Sequence, residues 1–161
     1  MMNEEWLIDG YNLLHDILSS KDSPYSFPSS KTGLCSVLAG FAASKKQKLW
    51  MVFDGNGSPE ELKVYQTQYF EAVYSQNVSA DNYIERYLYQ NKSAVAFVVV
   101  TNDRAIIQIS RGSGARVLKN SQFLEMLKEA GQESQTALLK ETVRAHGFNR
   151  PFDQKLKEKG L

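Results

Sequence analysis

Seven consecutive apolar residues, Ala94 to Val100, restrict this chain more than any other stretch. A strand with one wet face alternates apolar and polar side chains. An unbroken run of this length suits a central parallel strand covered on both faces. It is far short of the ~20 residues needed to span a bilayer. Parallel strands cannot be joined by tight turns and need crossovers, usually helical. The rest of the chain should therefore supply strands alternating with helices.

It does. Glu5 to Asp9, Leu49 to Phe53, Phe70 to Tyr74 and Ala115 to Leu118 read as further strands. Tyr11 to Leu18 reads as a helix with Leu13, Leu14, Ile17 and Leu18 as its apolar stripe. Lys31 to Ser44 follows with Leu34, Val37, Leu38, Phe41 and Ala42 on one face. Lys45, Lys46 and Lys48 close it, because cations suit a helix C-terminus. Ser79 to Tyr89 has Ser79 as its N-cap and Tyr83, Ile84, Tyr87 and Leu88 as its packed face. Arg104 to Arg111 is stopped by Gly112-Ser113-Gly114. Ser121 to Ala130 and Ser134 to Ala145 read as two more helices. Ser19 to Ser30 is a Ser- and Pro-rich loop, Glu60 to Gln68 has no decisive period, and the tail from His146 is polar and basic. The expected fold is α/β, three layers around a mostly parallel sheet of about five strands. With no internal repeat or linker, residues 1–161 read as one domain, helical and basic from about 132.

Composition removes several alternatives. Hydrophobic residues make up 42% and charged ones 23%, ordinary globular usage for 161 residues. Net charge is +1, so any contact with nucleic acid should be a local patch or need a partner. The single Cys35 excludes an internal disulfide and a cysteine-rich zinc site. The start, Met1-Met2-Asn3-Glu4-Glu5, is acidic and lacks the apolar core of a signal peptide. A soluble cytoplasmic protein with no membrane contact is expected. Nothing in the sequence fixes the oligomeric state.

Three of the strand runs end in aspartate: Asp9, Asp54 and Asp103. The helix from Ser79 begins Ala80-Asp81. In a parallel sheet every strand C-terminus, and the start of every crossover helix, lies on one edge. Four carboxylates remote in sequence thus converge on one rim. Glu85, one turn after Asp81, could reach its border. Each has a bland explanation: Asp81 suits a first helical turn, Asp103 a cap, and Asp54-Gly55 a turn. Together they would repel one another unless some protonate or a cation is present. Hard oxygen donors without Cys and almost without His suit Mg²⁺ or Mn²⁺ rather than Zn²⁺. Such clusters serve phosphodiester hydrolysis by activating a bound water. The only histidines are His15 and His146, and neither forms part of a nucleophilic triad pattern.

Asp9-Gly10-Tyr11-Asn12, Val52-Phe53-Asp54-Gly55, Ser79-Ala80-Asp81 with Ile84-Glu85, and Thr101-Asn102-Asp103 resemble, in order and spacing, the motifs of the NYN-domain family. The chain is most similar to the YacP-like branch of the PIN-like nucleases, from Trp6 to about Leu127. The resemblance implies a PIN-like α/β/α fold and metal-dependent endoribonuclease activity on single-stranded RNA. For bacterial members it implies mRNA cleavage in association with the ribosome. It implies Asp9, Asp81 and Asp103 as the metal-binding catalytic core and Asp54 as a ligand, directly or through water. Asn12 would orient Asp9 or a metal-bound water, with Glu85 and Asn102 in support. The chain departs from the family over Glu71 to Val78, where the family has a threonine and a more charged segment.

Arg104, Arg111, Arg116 and Lys119 follow the last motif, and Arg144, Arg150, Lys155, Lys157 and Lys159 make the C-terminal end basic. Arginines beside a metal rim would contact phosphates. Tyr11, Tyr83 and Tyr87 could stack on unpaired bases, although Tyr83 and Tyr87 also fit a packed helix face. Two other classes compete. A non-catalytic RNA- or ribosome-binding module would be expected to have lost one of the carboxylates, and none is missing. A phosphatase with an aspartate nucleophile commonly has a second aspartate two positions on, where this chain has Tyr11.

Overall fold

The computed structural model describes residues 3–20, 27–91 and 95–146, with side chains up to 133. The order is β1 (Asn3–Asp9), α1 (Gly10–Ser19), α2 (Lys31–Lys45), β2 (Lys48–Phe53), α3 (Pro59–Lys63), β3 (Phe70–Tyr74), α4 (Ala80–Asn91), β4 (Val95–Val100), α5 (Arg104–Gly112), β5 (Arg116–Leu118) and α6 (Asn120–His146). The chain divides into two compact units, Met1–Leu124 and Glu125–Leu161. Among the described residues no helix is long and apolar enough to cross a membrane.

The first unit is built on a five-stranded, all-parallel sheet in the order β3-β2-β1-β4-β5. Leu7 pairs with Trp50 on one side and Val99 on the other. All three point to one face, where Ala80, Ile84 and Leu88 of α4 and Ile106 of α5 cover them. Alternation sends Trp6 to the opposite face. There it packs against Phe123, which also meets Phe41 of α2 at 5.6 Å, edge to face. Both faces of the central strands are thus dry, and a continuous apolar run such as β4 is the sequence such a position requires.

Several local expectations change. The second helix buries Leu34, Cys35, Leu38, Phe41 and Ala42, while Val37 is 40% exposed. Leu18 is 60% exposed, and α1 buries only Gly10 and Leu13. Lys46 adopts the left-handed conformation (φ 53°) and ends α2, so Lys48 belongs to β2 instead of the helix end. The undecided stretch after Pro59 contains the short α3, with Pro in its first turn and Leu62 buried. The two helices expected near the C-terminus are one, α6, running through Gly131. Gly131 lacks the positive φ that caps a helix, and an isolated glycine costs only about 1 kcal/mol relative to alanine. In the second unit Leu127 and Ala130 are buried, and Lys128 pairs with Glu125 at 3.8 Å. Ala94, residues 21–26 of the Ser/Pro-rich loop and the tail carrying Arg150, Lys155, Lys157 and Lys159 lie outside the described residues, as does the side chain of Arg144.

Candidate active site

The chain runs β1, β2, β3 outward in one direction, then returns to the other side of β1 for β4 and β5. The order therefore reverses between β1 and β4. In open α/β sheets the crevice beyond the carboxyl ends at such a reversal is where ligands bind. Asp9 ends β1 at this point, and Thr101-Asn102-Asp103 follows β4 beside it.

Asp9 sits two residues after Leu7, so its side chain projects to the α4/α5 face. It is 8% exposed. Its pKa rises from the ordinary 3.8 to about 6, chiefly because burial penalises the charge and next because Asp81 is close; Asp103 adds to the rise. The Thr101 hydroxyl and the Asn12 backbone N–H pull it the other way. The Thr101 hydroxyl donates to Asp9 Oδ2 at 3.3 Å. The Asn12 N–H acts on the carboxylate without closing a full cap hydrogen bond.

Asp81 stands in the first turn of α4. Its pKa is also raised, first by burial and then by Asp103 and Asp54. Asp103 caps α5: its Oδ1 accepts from the N–H groups of Ala105 (2.8 Å) and Ile106 (3.2 Å). Asp54 is exposed, and its Oδ1 accepts the N–H of Ala80 at 2.9 Å, the first residue of α4. The bland and functional readings of these residues are therefore not exclusive. Asp54 and Asp103 each hold a helix start and also act electrostatically on Asp81. All four aspartates share one field. Glu85 is exposed on α4 and is not among the charges that shift Asp9 or Asp81.

Among the described residues no three carboxylate, imidazole or thiol side chains are gathered as a ready metal-binding group. The donor chemistry nonetheless fits a hard divalent cation. The donors are carboxylate oxygens, the only cysteine is buried Cys35, and the rise at Asp9 is the cost a cation would relieve.

Asn12 does more than the sequence suggests, and does it elsewhere. Its Oδ1 accepts from the Asn102 N–H and from Asn120 Nδ2, both at 2.9 Å. Asn102 Oδ1 in turn accepts the Asn120 N–H at 2.9 Å, and Asn102 Nδ2 donates to Asp16 at 3.3 Å. Asn120 is fully buried at the start of α6, and its Oδ1 has no partner among the described residues. The Thr101 hydroxyl also accepts the Asp103 N–H at 3.0 Å. This network locks the ends of β1 and β4 together and supports Asp9. Sequence reasoning missed Asn120 and Asp16 and did not give Thr101 a role of its own. Thr101 was visible inside its motif; a lone asparagine after β5 carries no signal of burial.

Gly10 is buried, and a Cβ there would lie 2.6 Å from the Phe53 ring and 3.0 Å from the Val52 carbonyl. The glycine makes room for Phe53. Tyr11 is 40% exposed and rests on Phe53, ring centroids 5.1 Å apart. Tyr83 and Tyr87 pack against the α4-side core, and the Tyr87 hydroxyl donates to Glu5. They are structural. His15 is exposed on α1. Arg104, Arg111 and Lys119 line one open groove together with Ile107 and Gln108. Arg116 is directed elsewhere, to Glu4 at 3.6 Å.

The YacP-like NYN domain model matches residues 6–160. The chain belongs to the YacP-like NYN domain family. Two crystal structures of Rae1 (YacP) from Bacillus subtilis share its fold. One, of a point mutant, matches at a TM-score of 0.68 and 22% identity, covering 88% of this chain and 84% of that one. The other matches at 0.68 and 21%, covering 96% and 91%. No curated protein matches the sequence significantly. The five-stranded parallel sheet with Asp9 at its reversal point is thus the scaffold of a YacP-like NYN domain.

Proposed function

We propose that this chain is an Mg²⁺- or Mn²⁺-dependent endoribonuclease that cleaves single-stranded RNA. The observation that carries the reading is Asp9: a buried carboxylate at the reversal point of a YacP-like NYN sheet, raised to about 6 by burial and by Asp81 and Asp103. Asp9, Asp81 and Asp103 would hold the ion, with Asp54 joining directly or through water. A bound divalent ion lowers the pKa of a coordinated water and neutralises charge on the leaving oxygen. Thr101 and the Asn12 N–H hold the Asp9 carboxylate in its charged form and fixed in direction. Asn12, Asn102 and Asn120 keep the two strand ends in register, so that Asp9 and Asp103 meet the same phosphate. Tyr11 offers an exposed aromatic face next to Asp9 for an unpaired base.

The substrate class proposed is mRNA. With a net charge of +1 the chain has weak long-range attraction for RNA, which favours delivery by a partner such as the ribosome. The family match crosses both compact units, which supports residues 1–161 as one nuclease domain with a helical, basic C-terminal segment from about 132. A soluble, cytoplasmic setting is part of the same proposal.

The test is incubation of the protein with single-stranded RNA, and with translating ribosomes, in Mn²⁺. Wild type should cleave and Asp9→Asn should not; equal behaviour of the two in every format sinks the reading. A second reading, a non-catalytic RNA- or ribosome-binding module, is favoured by the use of Asp54 and Asp103 as helix caps and by the ungathered carboxylates. RNA binding that survives Asp9→Asn, with no turnover by either protein, selects it.

A further inference from the structure

Several described cations in the first unit are held by carboxylates. Lys31 pairs with Glu61, Lys48 with Glu71 and Arg116 with Glu4. Lys46, Lys63 and Arg86 make no ion pair among the described residues, and neither do Arg104, Arg111 and Lys119. The last three converge on one open groove of about 490 Å³, completed by Ile107 and the Gln108 amide. The helix explains the convergence. α5 buries Ile106 and Ser110, and the intervals 104, 107, 108 and 111 fall on its opposite, outward side. Lys119, directly after β5, closes the groove at the rim where the strands end. Three like charges left unpaired around one concavity repel one another, and an anion lying along it relieves that repulsion.

The groove has a direction. Arg104 adjoins Asp103 at the acidic rim, and Arg111 lies seven residues down the helix, roughly 10 Å away at about 1.5 Å per residue. A stacked nucleic-acid strand rises about 3.4 Å per nucleotide, so about three nucleotides cover that span. The other flank of the rim is of opposite sign. Asp54, Glu60 and Glu61 are exposed there against Lys63, and Lys31 is held by Glu61 and by the Tyr74 hydroxyl.

We propose that the α5 groove binds the sugar–phosphate backbone of single-stranded RNA over at least two consecutive phosphodiesters, on one side only of the bond that is cleaved. This rests on the endoribonuclease reading for the position of that bond. Substrate is then gripped asymmetrically, and its minimum length is set by the nucleotides on the α5 flank. The grip reads phosphate and carries no base preference.

The experiment compares wild type, Arg111→Ala and Lys48→Ala on end-labelled single-stranded oligoribonucleotides between about 50 and 200 mM salt. Arg111 is exposed at the end of α5, so its truncation leaves the core untouched. Arg111→Ala should raise KM roughly threefold to tenfold at low salt and reduce the slope of log KM against log salt by about 0.7, one phosphate contact. Lys48→Ala, with the charge removed at the opposite end of the sheet, should change neither. Trimming the RNA toward the mapped cleavage site should abolish the Arg111→Ala penalty from one end and leave it intact from the other. An unchanged salt slope, an effect confined to kcat, or a penalty indifferent to which end is trimmed overturns the proposal. Fluorescence anisotropy of the same oligonucleotides on the same proteins separates the two failures. If wild type cleaves nothing, the nuclease reading fails; if Arg111→Ala then binds RNA with the wild-type salt slope, the groove fails as well.

Discussion

The Thr101 hydroxyl donates to Asp9 Oδ2 at 3.3 Å, across 92 residues of sequence, and so joins the ends of two adjacent parallel strands. The donor opposes the two influences that push Asp9 upward, burial and neighbouring carboxylates. Removing it has a defined sign.

Thr101→Val keeps the shape and deletes the hydroxyl. The Asp9 pKa in metal-free protein should then rise above about 6, because a contribution that lowers it is lost. The acid limb of the pH–rate profile should move to higher pH in step. A carboxyl NMR titration with the rate profile measures both, and a pKa unchanged or lowered would show that Thr101 does not hold the carboxylate.

Asp9 also predicts how stability depends on pH. Its folded pKa is raised, so between about 3.8 and 6 the folded protein holds a proton that the unfolded chain has released. The group's favourable contribution is complete below that window and lost as pH rises through about 6. At about 1.4 kcal/mol per pH unit, the loss amounts to about 3 kcal/mol in metal-free protein. Asp9→Asn removes the titration. With chelator present, the variant should be more stable than wild type near neutral pH, and the difference should shrink toward pH 4. Urea unfolding across that range decides it, and a variant less stable throughout contradicts the electrostatic account.

A cation that relieves the same carboxylates should stabilise the folded state. Mn²⁺ at about a hundred times its Kd should add about 2.7 kcal/mol. The rise in Tm should be larger above pH 6 than below it, since protonated Asp9 is a poor ligand. Asp81→Asn should reduce it. Thermal melts with and without Mn²⁺ test this, and a shift equal in wild type and Asp81→Asn would place the ion elsewhere.

Asn120→Ala deletes two donor contacts to Asn12 and leaves Asn12 Oδ1 short of a partner. The expected cost is about 1–3 kcal/mol. Asn120→Asp should cost more, because it sets a buried carboxylate against the Asn12 oxygen. If the aspartate variant is the more stable of the two in denaturant titrations, the assigned amide orientation is wrong.

Gly10→Ala drives a Cβ to within 2.6 Å of the Phe53 ring. Overpacking of this kind costs about 1–3 kcal/mol. The same shift disturbs the ring on which Tyr11 rests, so RNA affinity should fall along with stability. Phe53→Leu in the same background should restore part of the stability; no rescue would locate the strain in the Val52 carbonyl contact instead.

The alternation of strand and helix, the parallel sheet and the acidic edge were all legible in the sequence, because each follows from local pattern. β4 is apolar throughout since both its faces are covered, and Asp9 ends, while Asp54 and Asp103 closely follow, strands that must finish on one edge. The continuity of α6 through Gly131 was not legible, since a glycine that stops a helix and one that does not differ only in φ. Nor were the division of labour at Asp54 and Asp103, the burial of Asn120, and the pairing of Arg116 with Glu4 while Arg104, Arg111 and Lys119 share a groove. Those depend on which side chains from distant segments come within hydrogen-bonding or Coulombic range. One-dimensional spacing encodes the edge on which a residue arrives. Only the packed sheet decides which neighbour it meets there.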